Sequence, residues 1–359
     1  MSCCATLSGL SPDPLLSSIL SAPSPTVSED QAAELVRAEY GLDATVRKLA
    51  SERDQMFHLC DPGGAEYLLK ITHPAEPLEV THLQTAALAW IARADPALPV
   101  QRLHPARGGA SELRIAIGGT APRTIRLLSY LAGRPMHGTP ASSAQRRALG
   151  AMLARLSRAL AGFDHPVADY ALAWDIAQAA RLRPLLAHVQ GNDRTALARS
   201  ALDHFEADLL PRLAGLRRQV VHNDLNTHNV LVAPEASDRI TGVIDFGDIL
   251  RTQLVNDVAI GASYHVAAAA DPLHGPSECI AAYHAATPLT EEEVALLPGL
   301  IATRLLVTVL ITGWRAERDP ANRDYILKHN RLAWDGLDSL SRIPGEVARQ
   351  ALRRACMTR

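Results

Sequence analysis

Positive charge is not in excess in this chain. Lys and Arg number 36 against 38 Asp and Glu, a formal net charge of −2. A chain that holds nucleic acid through its phosphates carries a clear basic excess, so nucleic acid is not an expected partner, and nothing marks a surface for polycations. Cysteine is also scarce, with five in 359 residues and no C-x-x-C pair. An odd count at that spacing speaks against a disulfide framework and against a zinc ribbon, and it suits a reducing cytoplasm. No window approaches about 18 unbroken apolar residues, so neither a membrane span nor a membrane partner is expected. No internal repeat of fixed period occurs. Residues 1–26 are rich in Ser, Pro and Leu, lack a basic start, and carry Pro12 and Pro14 within any apolar run. They read as a disordered or loosely docked tail rather than a secretory signal.

Core-forming residues are plentiful. A hydrophobic content of 47% over this length is enough for one large or two medium domains. Ser28, followed by Glu29 and Asp30, reads as an N-cap and Gly41 as a stop, so a helix fills the interval. "ATVRKLA", "QMFHLC" and "EYLLKIT" then read as strands, the last two joined by the turn Asp61-Pro62-Gly63-Gly64. In "LEVTHLQTAALAWIA" the residues Leu83, Ala86, Ala87, Trp90 and Ile91 share one helical face. "SELRIAI" and "PRTIRLLSYL" are two further strands. From "LAGRP" onward the pattern turns helical, with Leu149, Met152, Leu153, Leu156 and Leu160 marking one helix and helical spacing running from Trp174 to about Leu213. "VVHNDLNTHNVLV" interrupts with two short strands and "ITGVIDF" adds a third. Helices resume near Val255, punctuated by Pro272, Pro276, Pro288 and Pro298. The organisation is α+β and bilobal: a small antiparallel β lobe with a helix inserted after its third strand (27–131), then a larger α-helical lobe (132–359).

The chemistry concentrates at strand ends. His222-x-Asp224-x-x-x-x-Asn229 follows one strand and Asp245-Phe246-Gly247 another. Loops at strand ends hold carboxylate and amide oxygens at fixed positions. Asp224 is placed to accept a hydrogen bond from a hydroxyl, and Asn229 and Asp245 are hard oxygen donors of the kind Mg²⁺ takes beside phosphate and water. Gly247 permits a sharp turn beside them. Each fragment alone is ordinary turn chemistry; it is the combination, in this order and strand context, that points to a site. Upstream, alternation puts Leu68 and Lys70 on one face of their strand and Tyr67 and Leu69 on the other. A helix bearing acids follows, so Lys70 can be steered by an ion pair. Glu79 is the expected partner, Glu76 is close by, and His82 or Gln84 could take the facing position instead.

"HNDLNTHN…IDFGD", with Lys70 upstream and a β lobe before an α lobe, resembles the aminoglycoside phosphotransferase superfamily, small-molecule kinases with a protein-kinase-like fold. "SERDQMF", "RLLSYLAGRPM", "AGFDHP…AWDI" and "LVNDVAI" are similar to the hydroxylysine kinase group within it, and the resemblance spans roughly residues 30–340. It implies that Asp224 is the catalytic aspartate, that Asn229 and Asp245 hold Mg²⁺, and that Lys70 meets the phosphates of ATP or GTP. It further implies that Asp257 ties down the catalytic loop, that His222 organises that loop, and that "LLSYL", with Ser129 and Leu131, is the hinge whose backbone meets the purine. Some features depart from the pattern. Met56 stands where Asn is expected in "DQNF". No G-x-G-x-x-G lies between the first strands, so Ser51, Glu52, Arg53, Asp54 and Gln55 must form the loop over the phosphates. No A-P-E follows Asp245, Asn223 replaces the Arg usual in protein kinases, and no Walker A sequence is present.

The implied reaction passes a γ-phosphoryl group to a hydroxyl of a small amine, hydroxylysine or a related amino alcohol, with aminoglycosides, homoserine or choline-type acceptors as alternatives. An aspartate with a reference pKa of about 3.9 need only orient the hydroxyl, because its proton becomes acidic late in a loose transition state. Asp175, Asp257, Arg304 and Arg315 could meet the acceptor's charges, and Trp174 and Tyr264 could cap its ammonium. Two rivals of other classes are a metal-dependent phosphohydrolase using His222, Asp224, His228 and Asp245, and a non-catalytic nucleotide-binding regulator.

Overall fold

A computed structural model describes residues 15, 25–51, 53–267 and 271–357 of the chain. The expected N-terminal tail therefore lies almost wholly outside the described residues, as does Glu52. Helix α1 (Glu29–Tyr40) begins with a reciprocal cap in which Ser28 Oγ accepts from Gln31 N–H and the Gln31 side chain accepts from Ser28 N–H. It ends at Gly41, whose φ of +71° an L side chain would adopt only under strain. Strands β1 (Thr45–Leu49), β2 (Gln55–Cys60) and β3 (Glu66–Ile71) form an antiparallel meander. Helix α2 (Leu78–Ala94) intervenes, followed by β4 (Leu103–His104), β5 (Leu113–Ile115) and β6 (Arg123–Ser129). The sheet order is β1-β2-β3-β6-β4, with β5 also on β6. Its two faces differ. Phe57, Leu59, Leu69, Ile71, Ile125 and Leu127 pack beneath Ala32 and Val36 of α1. On the other face the register lines up Met56, Lys70 and Arg126 in one row across three strands.

The chain then crosses through β7 (Arg134–Pro135), which pairs with a strand of the second part, into helix α3 (Ser143–Leu160). The expected helical stretch after Trp174 is only partly α-helical. Ile176–His188 forms 3-10 turns and contains Pro184, which cannot donate the bond an α-helix needs there. Helix α4 (Asn192–His204) continues through a π turn to Leu213. Strands β8 (Arg218–Val221), β9 (Val230–Ala233), β10 (Ala236–Val243) and β11 (Leu250–Gln253) then form two small sheets, β10-β9-β7 and β11-β8. The sequence pattern does not announce β4, β7 or β11, since two to four residues are too few to show a period.

Helices α5 (Leu254–Ser263), α6 (His274–Ala286), α7 (Glu291–Arg318), α8 (Asn330–Ser341) and α9 (Gly345–Met357) complete the fold. Pro298, read from the sequence as punctuation, sits inside α7. Helix α7 runs 28 residues, about 42 Å at 1.5 Å per residue, and is the axis of the helical part. By length and composition it could cross a membrane, but 83% of its apolar window is buried against other elements of the chain. It packs against α5, α8, α9 and the 3-10 segment.

Helices α3 and α6 approach so closely at Gly150 that a Cβ there would run into the Cys279 carbonyl. Nothing lies within 4 Å of a Cβ on Gly313. Gly150→Ala should therefore cost about 1–3 kcal/mol in urea unfolding, whereas Gly313→Ala should gain about 0.5–1 kcal/mol. Similar shifts at both positions would refute the close crossing.

Candidate active site

The loop between β8 and β9 is held from both ends by buried Val220, Val221, Val230 and Val232. Within it, His222 is fully buried. Its Nε2 bonds the Ile244 carbonyl (3.1 Å) and its Nδ1 accepts from Asp224 N–H (3.2 Å). That pairing requires the tautomer protonated on Nε2, and burial lowers the pKa, so His222 is a neutral brace. Asn223 takes a left-handed φ of +62°, which Asn tolerates better than most residues. Its N–H donates to Asp257 Oδ1 (2.9 Å) in the first turn of α5. Asn226, to which sequence reasoning gave no role, closes the loop: its Oδ1 accepts from the N–H groups of His228 (2.7 Å) and Asn229 (3.2 Å), and its Nδ2 donates to Asp224.

Asp224 is the centre of this arrangement. Its Oδ2 accepts from Asn226 Nδ2 (2.9 Å) and Asn229 Nδ2 (2.8 Å), and its Oδ1 accepts from Arg304 of α7 (3.0 Å). An ionised carboxylate offers about four lone-pair directions, so these three donors leave one for a ligand. Burial raises the Asp224 pKa to about 6, with Arg304 opposing the rise. Arg304 is itself 2% exposed. It also donates to the Trp174 carbonyl (3.0 Å) and lies over the Trp174 ring at 5.4 Å. One face of the ring that sequence reasoning offered to a substrate ammonium thus carries a guanidinium of the protein.

The second polar turn follows β10. Asp245 also has φ +62°, and its Oδ1 accepts from Gly247 N–H (3.3 Å). Lys70 Nζ lies 3.0 Å from Asp54 Oδ2 and 3.7 Å from Asp245 Oδ1. Burial works against its charge, but Asp54 and then Asp245 outweigh it and raise the pKa. The expected partner Glu79 is exposed at the start of α2 and makes no ion pair with Lys70, because the loop before β2 delivers Asp54 instead. Glu76 pairs with Arg53 (2.9 Å) and His82 with Glu112 (2.7 Å). Gln84 takes the facing position: its Oε1 accepts from Arg126 (2.9 Å) and its Nε2 donates to the Gly247 carbonyl (3.0 Å). Asp248, quoted in the motif but given no role, also lines the site. Burial, then the Asp224 and Asp245 charges, push its pKa up to about 8.

These groups surround a cavity of about 330 Å³ lined by Ser51, Arg53, Met56, Lys70, Trp174, Asp224, Asn229, Asp245, Asp248, Tyr264 and Arg304, among others. Besides Glu79, His222 and Asp257, four sequence candidates lie outside that lining. Gln55 points to the opposite sheet face, where its amide bonds Val27 N–H (2.7 Å) and the Pro25 carbonyl (2.7 Å), so it braces the entry to α1. Asp175 is buried and caps the 3-10 segment at Ala177 N–H (3.1 Å) while accepting from Thr252 Oγ1 (3.0 Å), so it is structural rather than acceptor-facing. Ser129 bonds the Arg102 backbone through both its N–H (2.8 Å) and its hydroxyl (2.9 Å). Leu131 packs over Gly242.

A family model described as "Phosphotransferase enzyme family" matches residues 45–294. The chain is similar to a hydroxylysine kinase of Xenopus laevis, 27% identical over 339 residues that cover 88% of this chain and 90% of that protein. It is also similar to a homoserine kinase of Methylobacillus flagellatus, 31% identical over 244 residues covering 64% of this chain and 72% of that protein. Among solved structures, an amicoumacin kinase in complex with AMP-PNP and Ca²⁺ superposes with a TM-score of 0.65 at 16% identity, covering 89% of this chain and 97% of that one. The α+β, bilobal, protein-kinase-like architecture is shared.

Removing the Asp257 carboxylate would leave the buried Asn223 N–H unpaired. Asp257→Ala should cost about 1–3 kcal/mol in urea unfolding and speed amide exchange at Asn223. Unchanged exchange there would show that the loop does not depend on this anchor.

Proposed function

Since the chain belongs to the phosphotransferase enzyme family, we propose that it is a small-molecule kinase that passes the γ-phosphoryl group of ATP or GTP, with Mg²⁺, to a hydroxyl of a small amine, hydroxylysine or a related amino alcohol. The observation that carries this reading is the single lone-pair direction left open on Asp224, beside the cavity and across from Lys70. The names of the hydroxylysine and homoserine kinases among its relatives favour an amino-bearing acceptor.

The donor set suits a hard cation. Asp224, Asp245 and Asp248 crowd one wall, and Asp248 has no ion-pair or hydrogen-bond partner among the described residues. The amide N–H₂ of Asn229 is spent on Asp224, which leaves Oδ1 as its free donor atom. Among the described residues no three His, Cys, Asp or Glu side chains form a metal cage. That suits an ion held by one or two protein oxygens together with phosphate rather than by protein alone. Asp245 and Asn229 Oδ1 would hold it, and when bound Mg²⁺ neutralises charge on phosphate oxygens.

The residues of the chain do the positioning. Lys70, itself steadied by Asp54 and Asp245, reaches toward the phosphates that are not transferred. Asp224 accepts the hydrogen bond of the acceptor hydroxyl and turns its oxygen toward the γ-phosphorus. As the new O–P bond forms, the bond to the β–γ bridging oxygen breaks, the hydroxyl proton passes to Asp224, and the nucleoside diphosphate departs. Arg304 keeps the Asp224 carboxylate oriented through the cycle. Asp248, left without a partner, faces the ammonium of the acceptor.

Asp224→Asn should lower kcat by about 10²–10⁴-fold while leaving nucleotide affinity within about threefold, measured by Mg²⁺-dependent diphosphate release and by nucleotide titration. Parallel losses of turnover and nucleotide affinity would sink the role assigned to Asp224. Asp245→Asn should raise the Mg²⁺ concentration needed for half-maximal rate. Phosphate carrying oxygen from labelled water, released without any acceptor, would return the phosphohydrolase reading.

A further inference from the structure

Carboxylates of the two polar turns line part of the cavity. Near the Tyr264 phenol, the segment that follows α7 brings Tyr325, Lys328 and His329 into the lining beside His228, the residue of the first polar turn that precedes Asn229. Three imidazoles stack there: His137 on His228 at 3.9 Å and His228 edge-on to His329 at 4.5 Å. His329 also meets the edge of the Tyr264 ring at 5.9 Å. Burial, then the charge of Lys328, lowers the His329 pKa to about 4, so the ring is neutral and Lys328 is the standing cation.

That cation is exposed to solvent. Lys328 is one of only three lysines in the chain. Among the described residues it has no carboxylate partner, and its ammonium lies 4.2 Å from the centroid of the Tyr325 ring. The His228 Nε2 is buried with no hydrogen-bond partner among the described residues. The field of Arg304, which pairs with Asp224, also reaches His329. A lysine held against an aromatic ring, in a lining that also holds the unpartnered His228 Nε2, and with no acid partner among the described residues, is a place for an anion. The nucleotide phosphates do not fill it, because Lys70 is the lysine that would hold them and it lies in the sheet, beside Asp54 and Asp245.

We propose that this end of the cavity is a carboxylate subsite formed by Lys328 and His329, so that the acceptor is a hydroxylated amino acid rather than a simple amino alcohol or an amino sugar. The proposal rests on the phosphotransferase reading of the same site. The hydroxyl then lies at Asp224, the ammonium toward Asp248, and the carboxylate at Lys328. An acceptor of this kind carries a carboxylate as well as an ammonium, and Lys328 offers that carboxylate a positive charge with no acid partner among the described residues. Neither Lys328 nor His329 touches the reacting atoms, so both set specificity and leave the chemical step alone.

Paired acceptors test it: homoserine against aminopropanol, and hydroxylysine against the diaminopentanol that remains when its carboxylate is removed. With the full chain and Mg²⁺-nucleotide, each amino acid should show the lower KM. Lys328→Ala should raise the KM for the amino acids by about 10–100-fold, the worth of one charge-assisted hydrogen bond, and leave the KM for nucleotide and for the decarboxylated partners within about twofold. Lys328→Arg should restore most of the loss. Equal shifts for both members of a pair, or wild-type use of the decarboxylated acceptors as readily as the amino acids, would overturn the subsite and leave the phosphotransferase reading standing. Calorimetric binding of hydroxylysine that depends on Lys328 but is followed by no diphosphate release would do the reverse.

Discussion

A carboxylate taken out of water loses hydration worth several kcal/mol, and it stays ionised only where donors or positive charge replace that hydration. Asp224 meets this demand with Arg304, Asn226 and Asn229. Much of the helical part can be understood as what supplies them. Arg304 comes from 80 residues further along the chain and must itself be buried to reach Asp224. That requires helix α7 to run through the core on a largely apolar stretch, and the Trp174 ring and carbonyl meet the guanidinium from another side. Breaking such a pair from either side leaves a buried charge without compensation, so the two residues stand or fall together.

The same logic governs the surroundings of Lys70. Lys70 is buried in a sheet and is kept charged by Asp54, which belongs to the loop before β2, and by Asp245, which belongs to the turn after β10. The lysine is therefore steered by the loop that would cover the phosphates and by the turn that would hold the metal, with no helix carboxylate between them. Helix α2 contributes Gln84 instead, a neutral link from Arg126 in the sheet to the Gly247 carbonyl. An amide suits that position because one side chain must both accept from a guanidinium and donate to a carbonyl. The sheet, the inserted helix and the metal turn are joined by one continuous polar connection across the cleft.

Much of the architecture was legible in the residues. The caps Ser28 and Gly41, the alternation through β2, β3 and β6, and the helical spacing at Leu149, Leu153, Leu156 and Leu160 all report structure that neighbours within a few residues decide. The motif around Asp224, Asn229 and Asp245 was legible for the same reason, since each turn is short and sits at a strand end. Asp54, Arg304, Asp248 and Lys328 carried no comparable signal. Asp54 was read only as part of the loop over the phosphates, and Asp248 lay inside a quoted motif without a role, because a carboxylate in a turn looks the same whether it caps a backbone or faces a lysine. Asp175 and Gln55 erred in the opposite direction: polar residues near a motif that the fold spends on bracing.

From the sequence alone, then, came the order and type of the elements, the two polar turns, and the kind of chemistry those turns perform. Periodicity, capping and turn geometry act over a few residues and are written in consecutive letters. The tertiary structure alone decided which charges meet: Asp54 rather than Glu79 on Lys70, Arg304 on Asp224, Arg304 over the Trp174 ring, and Lys328 with no acid partner among the described residues. Coulomb energy depends on separation through space and on how much water is excluded, and neither quantity is a function of distance along the chain.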